Sequence, residues 1–261
     1  MNTNLPFLPE RPAKPRNSGI AMVMDKGLSL REAEDFISTS GELTDFLKLG
    51  FGTSLITPLV REKVRLYQKA NIKVYAGGPL FEAFLIRNMF DEYRKYIDSL
   101  GLDAAEISDG SMLMDHDKKC NYIQTLSKTH VVLSEVGSKE AEIHFSPDRW
   151  AEMMEKELQA GSFKVIAEAR ESGTVGIYKS SGNADTLLIS TILEKIGNDK
   201  IIWEAPLKSQ QVWFIRQFGA NVNLGNIAPN EMIPLETLRL GLRGDTFFQF
   251  LPQKFHNFKP E

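Results

Sequence analysis

The chain has 261 residues, 42% of them hydrophobic and 25% charged, with a formal net charge of −3 at pH 7. That length and composition predict one folded domain over 1–261 and exclude a disordered or fibrous architecture, while the slight acidity excludes a general nucleic-acid binder, which needs a basic face. A single cysteine, Cys120, excludes an intramolecular disulfide framework and a cysteine-based zinc site. No apolar run approaches the roughly 20 residues that span a bilayer. Prolines at 6, 9, 12 and 15 stand where a signal peptide would need an apolar stretch, so residues 1–18 are expected to form an extended surface arm and the protein is expected to be cytoplasmic.

After the arm, IAMVMDKG (20–27) reads as a strand, and Ser29 as the N-cap of a helix that Gly41 ends. LTDFLKLGFGTS (43–54) is a second strand, followed by a helix beginning near Pro58. IKVYA is a third strand, with Gly77 and Gly78 where the backbone turns tightly or approaches a ligand, and one long amphipathic helical stretch is expected from Phe81 to Leu100. AAEIS (104–108) and HVVLSEVG (130–137) are the fourth and fifth strands, the latter before a helix opened by Ser146-Pro147. KVIAEAR is the sixth, and the long segment ESGTVGIYKSSGNAD after it is a candidate lid before a helix at about 186–196. IIWEAP and ANVNLGNI are the seventh and eighth, each with a helix behind it.

Eight mostly apolar strands alternating with helices are the pattern of a closed parallel sheet covered by helices, a (β/α)8 TIM barrel. Four of them run into a glutamate and then a polar loop, at Glu106, Glu135, Glu168 and Glu204. Strand alternation places Ile166, Glu168 and Arg170 on one face. Active sites of such barrels lie at the C-terminal strand ends, where Asp25, Lys26, Lys48, the four glutamates, Lys139, Arg170, Lys208, Asn223 and Asn226 are expected. Clustered carboxylates need a cation, and oxygen ligands without paired His or Cys suit Mg²⁺. The surplus Lys and Arg suit an anionic substrate such as a small phosphorylated acid, with Arg170 able to grip it bidentately. The plainer reading makes Glu168–Arg170 and Glu135–Lys139 ion pairs of the barrel rim. Histidines 116, 130, 144 and 256 show no ligand spacing, and Ser180-Ser181-Gly182 is either a phosphate cradle or a turn. Arg239 and Arg243 either reach a phosphate near the last strands or decorate a surface helix.

The blocks SDG at 108–110, EVGSK at 135–139, EARESG at 168–173, EAP at 204–206, VNLGNI at 222–227 and LRLGLRGDT at 238–246 resemble the phosphosulfolactate synthase family over nearly the whole chain. DKG at 25–27 and GGPLFE at 77–82 fall where that family has its early motifs. The family also resembles plant heat-stress-associated proteins. Where it usually carries threonine, this chain has Ala21 and Pro79, either of which is expected to change a loop hydroxyl contact. The resemblance implies a (β/α)8 enzyme that adds sulfite to phosphoenolpyruvate in a Mg²⁺-dependent reaction, giving (2R)-O-phospho-3-sulfolactate, a step of coenzyme M biosynthesis. On that basis Glu106, Glu135, Glu168 and Glu204 supply the metal ligands. Lys139, or else Lys26 or Lys48, protonates the central carbon. Arg170, Lys208, Asn223, Asn226, Arg239 and Arg243 face the substrate. A homo-oligomer is expected. Two other readings keep the barrel: a non-enzymatic stress-related interaction protein, and a phosphoenolpyruvate-using lyase with another nucleophile.

Overall fold

The computed structural model describes residues 5–137 and 145–256. Its eight strands are β1 (Ala21–Asp25), β2 (Phe46–Leu49), β3 (Lys73–Ala76), β4 (Ala104–Ile107), β5 (Val131–Val136), β6 (Lys164–Ala167), β7 (Ile201–Glu204) and β8 (Leu224–Ile227). They form one parallel sheet in the order β3-β2-β1-β8-β7-β6-β5-β4. The two outer strands close on one another where the Asp103 amide donates to Val74 O at 3.1 Å and the Val74 amide to Asp103 Oδ2 at 3.0 Å. The expected (β/α)8 barrel is therefore the observed fold.

Helices α1 (Leu30–Ser40), α2 (Val60–Lys69), α3 (Gly78–Leu85), α4 (Phe90–Leu100), α5 (His116–Leu126), α6 (Pro147–Gln159), α7 (Thr186–Ile196), α8 (Lys208–Phe218) and α9 (Met232–Arg239) cover it. The start signals behave as their chemistry requires. Ser29 makes a reciprocal capping box with Glu32, Ser146 accepts from the Arg149 amide at 3.2 Å, and Asp185 caps α7 from the Leu188 amide at 3.2 Å. The long helix expected over 81–100 divides instead into α3 and α4, because the chain turns through Asn88 at φ 56°.

Strand alternation produces two apolar layers. Ile20, Met22, Phe46, Tyr75, Ala104, Leu133, Ile166 and Ile202 fill the barrel, while Val23, Leu47, Val74, Ala105, Val132, Val165 and Trp203 face the helices. Two residues further along five of the strands, the inward positions become Lys48, Glu106, Glu135, Glu168 and Glu204. The charged layer is thus the apolar layer advanced by one strand period.

The opposite end of the barrel claims three residues that the sequence had placed at the mouth or in a loop. Asn223, just before β8, accepts from the Ile20 amide at 3.0 Å and donates to Ile201 O at 3.0 Å, tying together the starts of three strands. Arg239 is fully buried and donates to Ala220 O at 2.5 Å, Val222 O at 2.7 Å and Ile20 O at 3.3 Å. Ala21 opens β1 with its amide on Asp45 Oδ2 at 2.9 Å, too deep for any loop contact. The proline-rich arm closes this end. Arg11 bonds Glu236 at 2.8 Å, and Lys14 donates to Gly41 O at 2.9 Å and Ala70 O at 3.2 Å.

Arg239→Met removes the donor shared by three buried carbonyls, and we expect it to cost roughly 3–5 kcal/mol in denaturant unfolding, as loss of one member of a buried charged network does. Substrate KM of the folded fraction should stay at the wild-type value; a large rise in KM without loss of stability would instead put Arg239 in substrate binding.

Candidate active site

Lys48 enters the mouth from β2 with its side chain only 6% exposed. Its Nζ lies 3.0 Å from Glu106 Oε2, 3.4 Å from Glu204 Oε1 and 3.5 Å from Glu135 Oε2. Burial by itself would depress the ammonium, but Glu106, Glu204 and Glu135 overturn that and hold it well above the usual lysine range. Lys48 alone cannot neutralise all three. Glu204 shows the imbalance: burial, then the repulsion of Glu135 and Glu106, outweigh Lys48 and push its carboxyl up to about 8.

The glutamates differ in their other bonds. Glu106 Oε1 accepts from the Gly78 amide at 2.5 Å, and a side chain at 78 would lie 2.1 Å from Ser108 Oγ. The glycine pair at 77–78 therefore serves a close approach of backbone to a glutamate. Glu204 Oε2 accepts from the Ala169 amide at 2.9 Å, and Tyr178 donates to its main-chain carbonyl at 2.7 Å. Glu135, Glu168 and Glu204 each aim one carboxylate oxygen to within 4.8 Å of the others. Of the four expected metal ligands these three converge, and Glu106 is committed to Lys48 and Gly78.

Asn226 completes the group by an irregularity. The β1–β8 pairing runs Ala21 with Leu224 but Val23 with Ile227, so β8 holds one extra residue, and Asn226 adopts φ 56°. It thereby lines the same cavity of about 360 Å³ as Lys48, Glu135, Glu168 and Glu204. Its Oδ1 is buried and accepts no hydrogen bond from the described residues. Three carboxylates and a neutral amide oxygen, with no His or Cys among them, are a donor set that fits Mg²⁺.

Around the rim stand Phe51, Pro79, Arg170, Glu171 and Ser172. Arg170 is exposed and has no ion pair among the described residues, so it is not locked to Glu168. Lys26, at the end of β1, pairs instead with Glu171, both half exposed. Lys208 is turned away from the cavity, onto Asp245 Oδ2 at 2.6 Å, and Arg243 is likewise not in the cavity lining. Lys139 and His144 lie outside the described residues. The segment after β6 folds onto the barrel through bridges Ala169–Gly176 and Tyr178–Ala184 and through Gln210, which donates to Gly173 O at 2.9 Å. Ser180-Ser181-Gly182 is a turn within it, closed by the Gly182 amide on Lys179 O at 2.8 Å. His116, His130 and His256 stand apart from the mouth, on Glu157, Asp98 and Leu251 O. A larger cavity of about 560 Å³ at the far end, beside Lys14, Arg16 and Phe163, lacks any such convergence of carboxylates.

A parallel barrel with carboxylates and one buried lysine at its C-terminal mouth defines an enzyme of the TIM-barrel class. The chain belongs to the (2R)-phospho-3-sulfolactate synthase family, whose model matches residues 9–245. It is 42% identical over 244 residues to the phosphosulfolactate synthase of Methanothermobacter thermautotrophicus, covering 91% of this chain and 95% of the relative. The Bacillus subtilis phosphosulfolactate synthase is also 42% identical over 244 residues, covering 92% and 97%. A more distant relative, 21% identical over 264 residues and 88% of each chain, is Protein HEAT-STRESS-ASSOCIATED 32 of Arabidopsis thaliana. No helix among the described residues is long and apolar enough to cross a membrane.

Because the folded Glu204 carboxyl titrates at about 8 against an ordinary 4.5, the proton it binds favours the metal-free fold. That contribution is fully present below the unfolded value and is lost as pH rises through about 8. Denaturant midpoints of Glu204→Gln should therefore fall less between pH 5 and pH 9 than those of the wild type; parallel curves would show that Glu204 is ionised throughout.

Proposed function

We propose that the chain catalyses Mg²⁺-dependent addition of sulfite to phosphoenolpyruvate, giving (2R)-O-phospho-3-sulfolactate. The observation that carries this reading is the convergence of Glu135, Glu168 and Glu204 beside a buried Lys48 in a chain of this family. Those three glutamates, with Asn226 Oδ1 beside them, would hold the Mg²⁺. The cation supplies Lewis-acid neutralisation of the charge that collects on the substrate carboxylate during the addition.

The protein's own side chains divide the remaining work. Arg170, exposed on the rim, binds a phosphate or carboxylate oxygen pair of the incoming anion. Lys48 keeps its proton because three carboxylates hold it, which makes it a fixed positive charge at the base of the site and a poor acid. Protonation therefore falls to Lys139, or to Lys26 once it leaves Glu171. The sulfur lone pair of sulfite forms the new carbon–sulfur bond at the methylene carbon, the double-bond pair moves to the central carbon, and the lysine proton is delivered there from one face. The active species is a homo-oligomer in the cytoplasm, and its product enters sulfonate biosynthesis of the coenzyme M type.

Phosphorus NMR of phosphoenolpyruvate, sulfite and Mg²⁺ with the enzyme should show a new phosphate ester that EDTA abolishes. Glu168→Gln should lower turnover at least about a hundredfold, at the upper end of losses on disturbing a metal shell, with an unchanged melting temperature. Turnover insensitive to EDTA would remove the metal from the reaction.

A further inference from the structure

Lys119, on the inner face of α5, is fully buried, and its three protons are all committed. It donates to Glu135 O at 2.6 Å and Asp109 Oδ1 at 2.8 Å, and lies 2.9 Å from Glu157 Oε1. Glu157 also meets His116 Nε2 at 3.1 Å, one helical turn from Lys119. The cation thus sits behind the sheet and joins α5, α6 and the loop after β4 to the last part of β5. Its one main-chain partner is the carbonyl of a residue whose side chain is in the active site.

That carbonyl occupies a controlling position in the chain. The peptide between Glu135 and Val136 sets the direction of the Glu135 side chain inside the barrel and of the chain leaving β5. The residue after Val136, Gly137, has φ 140°, and a Cβ there would lie 2.5 Å from Glu168 Cβ and 2.6 Å from Trp150. The exit from β5 is therefore narrow, and two residues beyond Gly137 comes Lys139. A cation pinning the carbonyl fixes the carboxylate on one side of the peptide and Val136 and Gly137 on the other.

We propose that Lys119 is a positioning residue of the active site, holding Glu135 and the end of β5 in working register through the Glu135 carbonyl. It touches no substrate and donates no proton. The proposal concerns the site assigned to Mg²⁺ and substrate above and rests on that reading for its functional consequence, but its structural content is independent of it. Among the described residues the Glu135 main-chain oxygen is the only active-site glutamate carbonyl that receives a side-chain ammonium.

The sequence Glu-Val occurs once in the chain, at 135–136. Protein labelled with ¹³C-carbonyl glutamate and ¹⁵N-valine therefore gives one carbonyl–amide correlation, which reports this peptide alone and needs neither metal nor substrate. Lys119→Met strands Asp109 and Glu157, so Lys119→Met combined with Asp109→Asn and Glu157→Gln is the variant that keeps the interior neutral. We expect the Glu135 carbonyl resonance to move upfield in both, with Lys119→Arg restoring part of the shift. In the triple variant, calorimetric Mg²⁺ affinity should fall by roughly ten- to a hundredfold, as it does when the groups that orient metal ligands are removed. Its kcat should fall with it, and KM for phosphoenolpyruvate should stay within about threefold of the wild type. An unmoved carbonyl resonance, or a moved one with wild-type Mg²⁺ affinity and kcat, overturns the proposal and leaves Lys119 a stabilising residue only. Wild-type protein that binds no Mg²⁺ and makes no product would overturn the reaction assigned above, and the carbonyl shift would still decide whether Lys119 fixes the peptide.

Discussion

Everything at the mouth depends on one buried lysine held among three buried carboxylates. An ammonium taken out of water is costly, and so is each carboxylate; only their mutual attraction makes the arrangement tolerable. Lys48 by itself does not balance the group, since it offers one charge to Glu106, Glu135 and Glu204 while Glu168 stands beside them. The fold sets this charged group directly above the layer of Ile20, Met22, Phe46, Tyr75, Ala104, Leu133, Ile166 and Ile202 that fills the barrel.

The scaffold spends its own cations elsewhere to make this possible. Lys63 neutralises Asp25 at 2.8 Å, Lys119 answers Asp109 and Glu157, and Arg239 saturates carbonyls at the far end. Asp25 further accepts from the Gly27 and Leu28 amides, which shapes the short loop carrying Lys26. These buried pairs lie in the shell between sheet and helices, each bridging two or more elements. Their value is geometric as much as energetic: a strand end held from behind cannot drift away from the site in front.

The enzyme's rim is less committed. Arg170 has no ion-pair partner among the described residues, and the Lys26–Glu171 pair is half exposed, where such pairs are worth about 0–1 kcal/mol. A multiply charged substrate can compete with a contact of that size. The gradient from rigid charge at the base to exchangeable charge at the rim suits an enzyme for a small substrate, because the base must stay preorganised while the rim admits and releases it.

Much of this was legible in the sequence because its periods are local. The two-residue alternation from Phe46 to Lys48, Ala104 to Glu106, Leu133 to Glu135, Ile166 to Glu168 and Ile202 to Glu204 fixes which side chains share the barrel interior, and caps such as Ser29, Ser146 and Asp185 fix where helices begin. The motif blocks fixed the family. What only the tertiary structure decided is which strand-end polar residues meet. Asn223 and Asn226 are three apart, yet one ties the barrel's base and the other lines its mouth, because three residues advance the strand by about 10 Å and the bulge in β8 sets the face on which Asn226 lies. Lys208 by its place after the seventh strand and Arg239 by its place after the eighth read as anion ligands, but helix geometry sends Arg239 to buried carbonyls and Lys208 to Asp245. Lys119 gave no motif at all, since a lysine on the inner face of a helix acquires its meaning only from the carboxylates and the carbonyl that the fold brings against it.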